Sequence, residues 1–303
     1  MHPTTRATII FAVALLVASA CGGASSGAKP TVIIGSTNFS EQLVLGELYA
    51  QTLEANGYTV TRKFNLGTRE IVFPALEKGD IDMEADYLAT LLGFVDKTAQ
   101  GSTDPKVTAA ALAKALEPKK LTVLDYAPAV DQNGFVVTKA TADKYKLSKL
   151  SDVAPVGNQL VLGAPPECPS TTRPFCLVGL KNVYGITFKE FKPLDVGGPL
   201  TVAALSGGQI DVGLLFTTDA TIAVKGFVLL DDDKHLQLSD NVAPVVRNDL
   251  LTKGGDAFKT LVNSIAPKLT TAELTAMNKL VEVDKQDPKV VAKDWLKKQG
   301  ILK

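Results

Sequence analysis

An eight-residue pattern occurs twice in this chain, and it limits the fold more than any other feature. Ala75-Leu76-Glu77-Lys78-Gly79-Asp80-Ile81-Asp82 resembles Ala204-Leu205-Ser206-Gly207-Gly208-Gln209-Ile210-Asp211. Each copy reads as a helix end, a glycine stop and a strand start. Five residues beyond each final aspartate stand Tyr87 and Phe216, and three further on stand Thr90 and Asp219. Both halves thus put an aromatic near the carboxyl end of an equivalent strand, the edge where open α/β sheets bind ligands. Two such edges facing each other place Tyr87 and Phe216 across one cleft. The plainer alternative is a common helix-to-strand turn used twice.

The flanking sequence alternates in the same way. Residues 31–36 read as a short buried strand and 40–56 as a helix, with Asn38 as N-cap and Glu41 as its capping-box partner. Residues 58–65 alternate as a strand, a turn at Gly67 opens a helix through Lys78, and 81–85 form the next strand. Asp104-Pro105 starts another helix and 121–124 another strand. A second unit runs through strands at 134–139, 160–163, 188–191 and 210–215, with a helix near 199–206. The C-terminal part reads as helical, with Thr270 and Glu273 as a capping box, Asp287-Pro288 as a helix start and Trp295 as a packing anchor. The pattern implies an α/β fold with largely parallel sheets. A chain of 303 residues suits two domains.

Residues 1–20 read as a signal peptide: Arg6, an uncharged apolar run, then small residues at Ala18-Ser19-Ala20. Cys21 follows, with a Gly/Ser tether to residue 30. That arrangement resembles a bacterial lipobox, with Ala18 where leucine is usual, and implies an anchor through lipidated Cys21 on the outer face of the cytoplasmic membrane. The alternative is a cleaved signal with an incidental cysteine. Export permits disulfides. Cys168 and Cys176 are read as a disulfide closing a proline-rich loop around Arg173.

Lysine plus arginine and aspartate plus glutamate both number 32, so no basic surplus suggests nucleic acid. His2 and His235 are the two histidines, which argues against a His-based metal site or general base. Gly23-Ala24-Ser25-Ser26-Gly27 matches Gly-x-Ser-x-Gly but lies in the tether without a strand before it or a helix after it. Glu84 and Asp86 are paired acids whose spacing alone assigns no chemistry. Asp231-Asp232-Asp233 reads as a solvated turn. The expectation is a binding protein with no catalytic residue, metal or cofactor. A secreted α/β enzyme is the rival class, and a sensing or adhesion lipoprotein a third.

Further motifs carry a resemblance. They are Gly35-Ser36-Thr37-Asn38-Phe39-Ser40-Glu41-Gln42, Leu45-Gly46-Glu47-Leu48-Tyr49, Asn65-Leu66-Gly67-Thr68-Arg69-Glu70-Ile71, Asp86-Tyr87-Leu88-Ala89-Thr90, Gly197-Gly198-Pro199-Leu200 and Thr217-Thr218-Asp219. With these the chain resembles the substrate-binding subunits of osmoprotectant ABC transporters, the glycine betaine, choline and carnitine binders of the ProX and OpuC type. The resemblance implies a two-lobed periplasmic-binding-protein fold with two hinge crossings. Lobe one would take residues 31–128 and 222–303, and lobe two 129–221. It implies a monomer that traps a small solute and works with permease and ATPase subunits. By position it implies ligand contacts at Asn38, Phe39, Gln42, Tyr87, Thr90, Asn133, Arg173, Phe216, Thr217 and Asp219, with Arg173 as an anion clamp.

The chain departs from the family's tyrosine cage. Phe216 stands where a tyrosine is usual, Asn133 and Val202 replace cage tyrosines, and Thr37 replaces a lysine. Two aromatics, Tyr87 and Phe216, are then expected to remain. Each lost wall would cost about 0.5–2 kcal/mol. The pocket is expected to be roomier and more polar, with a larger polyhydroxylated or aromatic solute as the alternative cargo.

Overall fold

The computed structural model describes residues 29–99 and 101–303. The expected signal segment and Cys21 lie outside them. The chain alternates as the repeat requires. Strand β1 (Val32–Gly35) leads to helix α1 (Ser40–Ala55), β2 (Val60–Lys63) to α2 (Arg69–Lys78), and β3 (Met83–Tyr87) to α3 (Leu88–Val95). Helix α4 (Pro105–Leu116) and β4 (Leu121–Val123) complete the first passage. The second unit runs β5 (Asn133–Val137), α5 (Lys139–Tyr145), β6 (Val161–Ala164), α6 (Leu177–Tyr184), β7 (Glu190–Pro193), α7 (Pro199–Ser206), β8 (Val212–Phe216), α8 (Thr221–Lys225) and β9 (Val228–Leu229). The return passage holds β10 (Val242–Arg247), α9 (Asn248–Asn263), α10 (Thr271–Glu282) and α11 (Pro288–Lys298).

The strands make two five-stranded sheets, β2-β1-β3-β10-β4 and β7-β6-β8-β5-β9. Both follow one plan. Three parallel strands come first. An antiparallel strand from the segment that has just crossed between lobes comes next, and it pairs with an edge strand. Helices cover both faces of the first sheet. α1, α9, α10 and α11 pack on one side, and α2, α3 and α4 on the other. The second sheet is likewise covered, by α5 and α6 on one face and α7 on the other.

The repeat is geometric as well as sequential. Gly79 and Gly208 hold the same place in it, and both are left-handed, at φ +85° and +67°. A side chain is strained there, which is why glycine ends each helix. Tyr87 and Phe216 are the last residues of β3 and β8.

Four readings need correction. The second lobe extends past the expected boundary at 221/222, because Val228 and Leu229 pair with Val137 and Val136 of β5. Leu230 and Leu236 also pack in the second lobe's core, so the return crossing begins only after them. Asn38 does not cap α1: Phe39 takes the cap position without a side-chain hydrogen bond, and Glu41 is drawn inward instead. At α10 Thr270 caps the Glu273 N–H, but the Glu273 carboxylate turns to Trp295 Nε1 at 2.8 Å. Asp232 is no solvated turn residue, since it accepts from Tyr184 Oη and the backbone N–H groups of Leu236 and Gln237.

Asp104 does cap α4, accepting from the Lys106 N–H at 2.9 Å. Asp104→Ala is expected to lower stability by about 1 kcal/mol. Urea titration should show a lower midpoint with an unchanged slope.

Candidate functional site

The two crossing segments run side by side. The Ala127 N–H donates to Val242 O at 2.8 Å, the Val242 N–H to Ala129 O at 3.0 Å, and the Asp131 N–H to Asp240 O at 3.0 Å. This pairing sets Asp131 and Asp240 next to each other at the base of a cleft between the lobes. The first lobe lines it with Thr37, Asn38, Phe39, Gln42, Tyr87 and Thr90, and the second with Asn133, Arg173, Phe175 and Phe216. Eight of the ten residues expected at the site therefore meet there. Thr217 and Asp219 do not line it. The Thr217 hydroxyl accepts from the Gln132 N–H at 3.0 Å and braces a crossing. Val202 lines a separate interlobe groove.

Tyr87 and Phe216 do not face each other directly. Phe39 stands between them, its ring centroid 4.8 Å from Phe216 and 6.4 Å from Tyr87, with interplanar angles of 26° and 21°. One aromatic stack thus runs from the first lobe into the second. Phe175 also borders the cleft. The expected count of two aromatics is too low: Phe39, expected as a contact but not counted as a wall, and Phe175, not expected, both line the cleft.

Behind the stack lie buried acids. Glu41 accepts from Tyr87 Oη at 2.5 Å, Thr218 Oγ1 at 2.7 Å and Asn278 Nδ2 at 2.6 Å. Tyr87 and Asn278 belong to the first lobe and Thr218 to the second, so this carboxyl ties the lobes together. Burial pushes its pKa up. Asp131 accepts from the Thr218 N–H at 3.1 Å and Thr217 Oγ1 at 3.2 Å. Burial, with Glu41 nearby, raises its pKa well above the usual carboxylate range. Asp240 accepts from the Thr90 N–H at 2.7 Å and Oγ1 at 2.5 Å, and burial lifts it to about 6. Sequence reasoning missed all three. Glu41 sat in a quoted motif but was read as a capping partner.

Both arginines of the cleft are engaged. Arg69, itself buried, grips the Asp86 carboxylate through Nε at 2.9 Å and Nη2 at 2.5 Å. Arg173 reaches across the cleft to Glu70 on α2, with Nε to Oε1 at 3.0 Å and Nη2 to Oε2 at 2.7 Å. Opposed by partial burial, that pair still lowers the Glu70 carboxyl to about 2. The expected anion clamp is thus filled by the protein's own carboxylate. Cys168 and Cys176 are bonded as expected, with Cα atoms 5.3 Å apart. In the loop they close, the Phe175 carbonyl accepts from Asn133 Nδ2 at 3.1 Å and Gln237 Nε2 at 2.9 Å.

Residues 30–298 match the family model described as the substrate binding domain of ABC-type glycine betaine transport systems. The chain belongs to this family. It is 28% identical to a carnitine transport binding protein of Listeria monocytogenes, over 96% of each chain. It is 28% identical to a glycine-betaine-binding protein of Pseudomonas aeruginosa, over 93% of each. It is 29% identical to an ergothioneine transport permease/ergothioneine binding protein of Helicobacter pylori, over 90% of this chain but 48% of that one. A crystal structure of a glycine betaine/carnitine/choline ABC transporter shares 29% identity and a TM-score of 0.70, covering 89% of this chain and 99% of the other. This is a transport substrate-binding protein and not an enzyme. Among the described residues no helix is long and apolar enough to cross a membrane.

A second carboxyl pair joins the lobes of this binding protein. Asp219 precedes α8 and accepts from the Thr221 N–H at 2.7 Å, and Glu282 of α10 lies beside it in the interlobe groove. Burial first, then Asp219, pushes Glu282 up to about 9. A carboxyl raised on folding contributes stability below its ordinary pKa, and loses it as pH rises through the raised value. The folded form should therefore weaken between about pH 4.5 and pH 9 through this pair. Glu282→Gln is expected to raise the melting temperature at pH 8.5 and to do little at pH 5. Equal effects at both pH values would refute the assignment.

Proposed function

We propose that this protein is an extracytoplasmic lipoprotein that captures a small quaternary ammonium solute between its lobes. It then delivers the solute to the permease and ATPase subunits of an importer. The observation that carries the reading is the Tyr87–Phe39–Phe216 stack, which runs through both lobes beside Asp131 and Asp240. A quaternary ammonium head donates no ordinary hydrogen bonds and is stabilised by aromatic faces, dispersion and nearby negative charge. Phe39, Tyr87 and Phe216 supply the faces. Asn38, Gln42, Thr90, Asn133 and Arg173 surround the remainder of the solute.

The named relatives that carry carnitine and glycine betaine support this cargo class. So does the scale of the cleft. The cavity inside is about 80 Å³. A small solute needs far less opening of the lobes than a polyhydroxylated or aromatic one. Closure of the lobes over the solute would bring their rims together as one surface for the permease. Lipidated Cys21 would hold the protein on the outer face of the cytoplasmic membrane.

Calorimetric titration with quaternary ammonium compounds tests the cargo. The protein is expected to bind at least one of them, and Phe39→Ala to weaken that binding tenfold or more. No heat with any quaternary amine would end this reading. Fractionation of cells tests the anchor, with Cys21→Ser expected to move the protein from the membrane to the soluble fraction.

A further inference from the structure

The charges lining the cleft do not balance. Arg69 and Arg173 are the cations among its lining residues, and Asp86 and Glu70 already hold them with two hydrogen bonds or more. Glu167 adds a further carboxylate 3.6 Å from Arg173. Asp240 remains, buried, with hydroxyl and backbone N–H partners but no ion-pair partner among the described residues, and burial beside Glu41 disfavours the charged form of Asp131 next to it. A ligand carboxylate entering this cleft would meet acids and no free cation.

Gln42 adds an independent observation. It lines the cleft and is 1% exposed. Tyr87 gives its hydroxyl hydrogen to Glu41, so its oxygen is left to accept. The Gln42 amide nitrogen is the end that suits that oxygen. Gln42 Oε1 then has no donor in the protein, and Thr37 Oγ1 on the same wall also lacks a partner. A buried acceptor without a donor is unfavourable until something supplies one. A trimethylammonium group cannot, because it has no N–H.

We propose that the cleft selects a small monocation that carries its own hydrogen-bond donor and no carboxylate. Its head lies against Phe39, its O–H or N–H serves Gln42 Oε1, and Arg173 stays on Glu70. This selectivity rests on the quaternary ammonium reading above.

Four probes separate the parts. Choline is a cation with a hydroxyl, tetramethylammonium a cation without one, carnitine a zwitterion with a hydroxyl, and glycine betaine a zwitterion without one. Titrated into the full chain, choline is expected to bind about tenfold tighter than tetramethylammonium, as one net hydrogen bond allows. It should exceed both zwitterions by at least the same factor. Glu70→Gln takes away the bidentate partner of Arg173, leaving the longer Glu167 contact, and is expected to shift the preference about tenfold toward carnitine and glycine betaine. Gln42→Met should bring choline down to tetramethylammonium. Glycine betaine binding as tightly as choline would overturn the selectivity while leaving the quaternary ammonium cargo standing. Equal binding of choline and tetramethylammonium, unmoved by Gln42→Met, would remove the role of the donor. If none of the four bound, the cargo reading and this inference would fall together.

Discussion

Each sheet is completed by a strand that arrives from the other lobe. β5 enters the second sheet directly after the first crossing, and β10 enters the first sheet directly after the second. Both strands pair on two sides, so neither can leave without opening its sheet. The crossings must therefore run together, and their hydrogen bonds to each other follow from that constraint. Asp131 and Asp240 reach the base of the cleft for the same reason. The site's negative character is a product of topology before it is a matter of side-chain choice.

Much of the architecture was legible because it is written in local signals. Gly79 and Gly208 mark helix ends that a side chain would strain, and Asp104-Pro105 and Asp287-Pro288 mark helix starts. Tyr87 and Phe216 could be placed by counting from a repeat. The second domain boundary was not legible, since β9 has two residues and exists because β5 needs a partner at its edge. No local pattern reports that need.

The site was read best where residue type implied direct contact and worst where contact depended on partners far away in sequence. Glu41 looked like a capping residue because Asn38 stands three positions before it. Its partners Tyr87, Thr218 and Asn278 are 46, 177 and 237 residues away. Arg173 was rightly seen as a fork for a carboxylate, but the carboxylate is Glu70, 103 residues away. With Arg69 on Asp86 and Arg173 on Glu70, no cation among the cleft's lining residues is left free. Charge in a buried site matters more than it would in water.

The disulfide loop has a bearing on where this protein can work. Arg173 and the Phe175 carbonyl both sit between Cys168 and Cys176, and both make contacts that shape the cleft. With the bond formed, the loop is short and its ends are held, so little chain freedom is lost when Arg173 meets Glu70. With the cysteines reduced, the same contacts would have to order a looser segment. The cleft is then weakest in a reducing cytoplasm, where the chain is made, and firmest in the oxidising space outside, where a scavenged solute would be met.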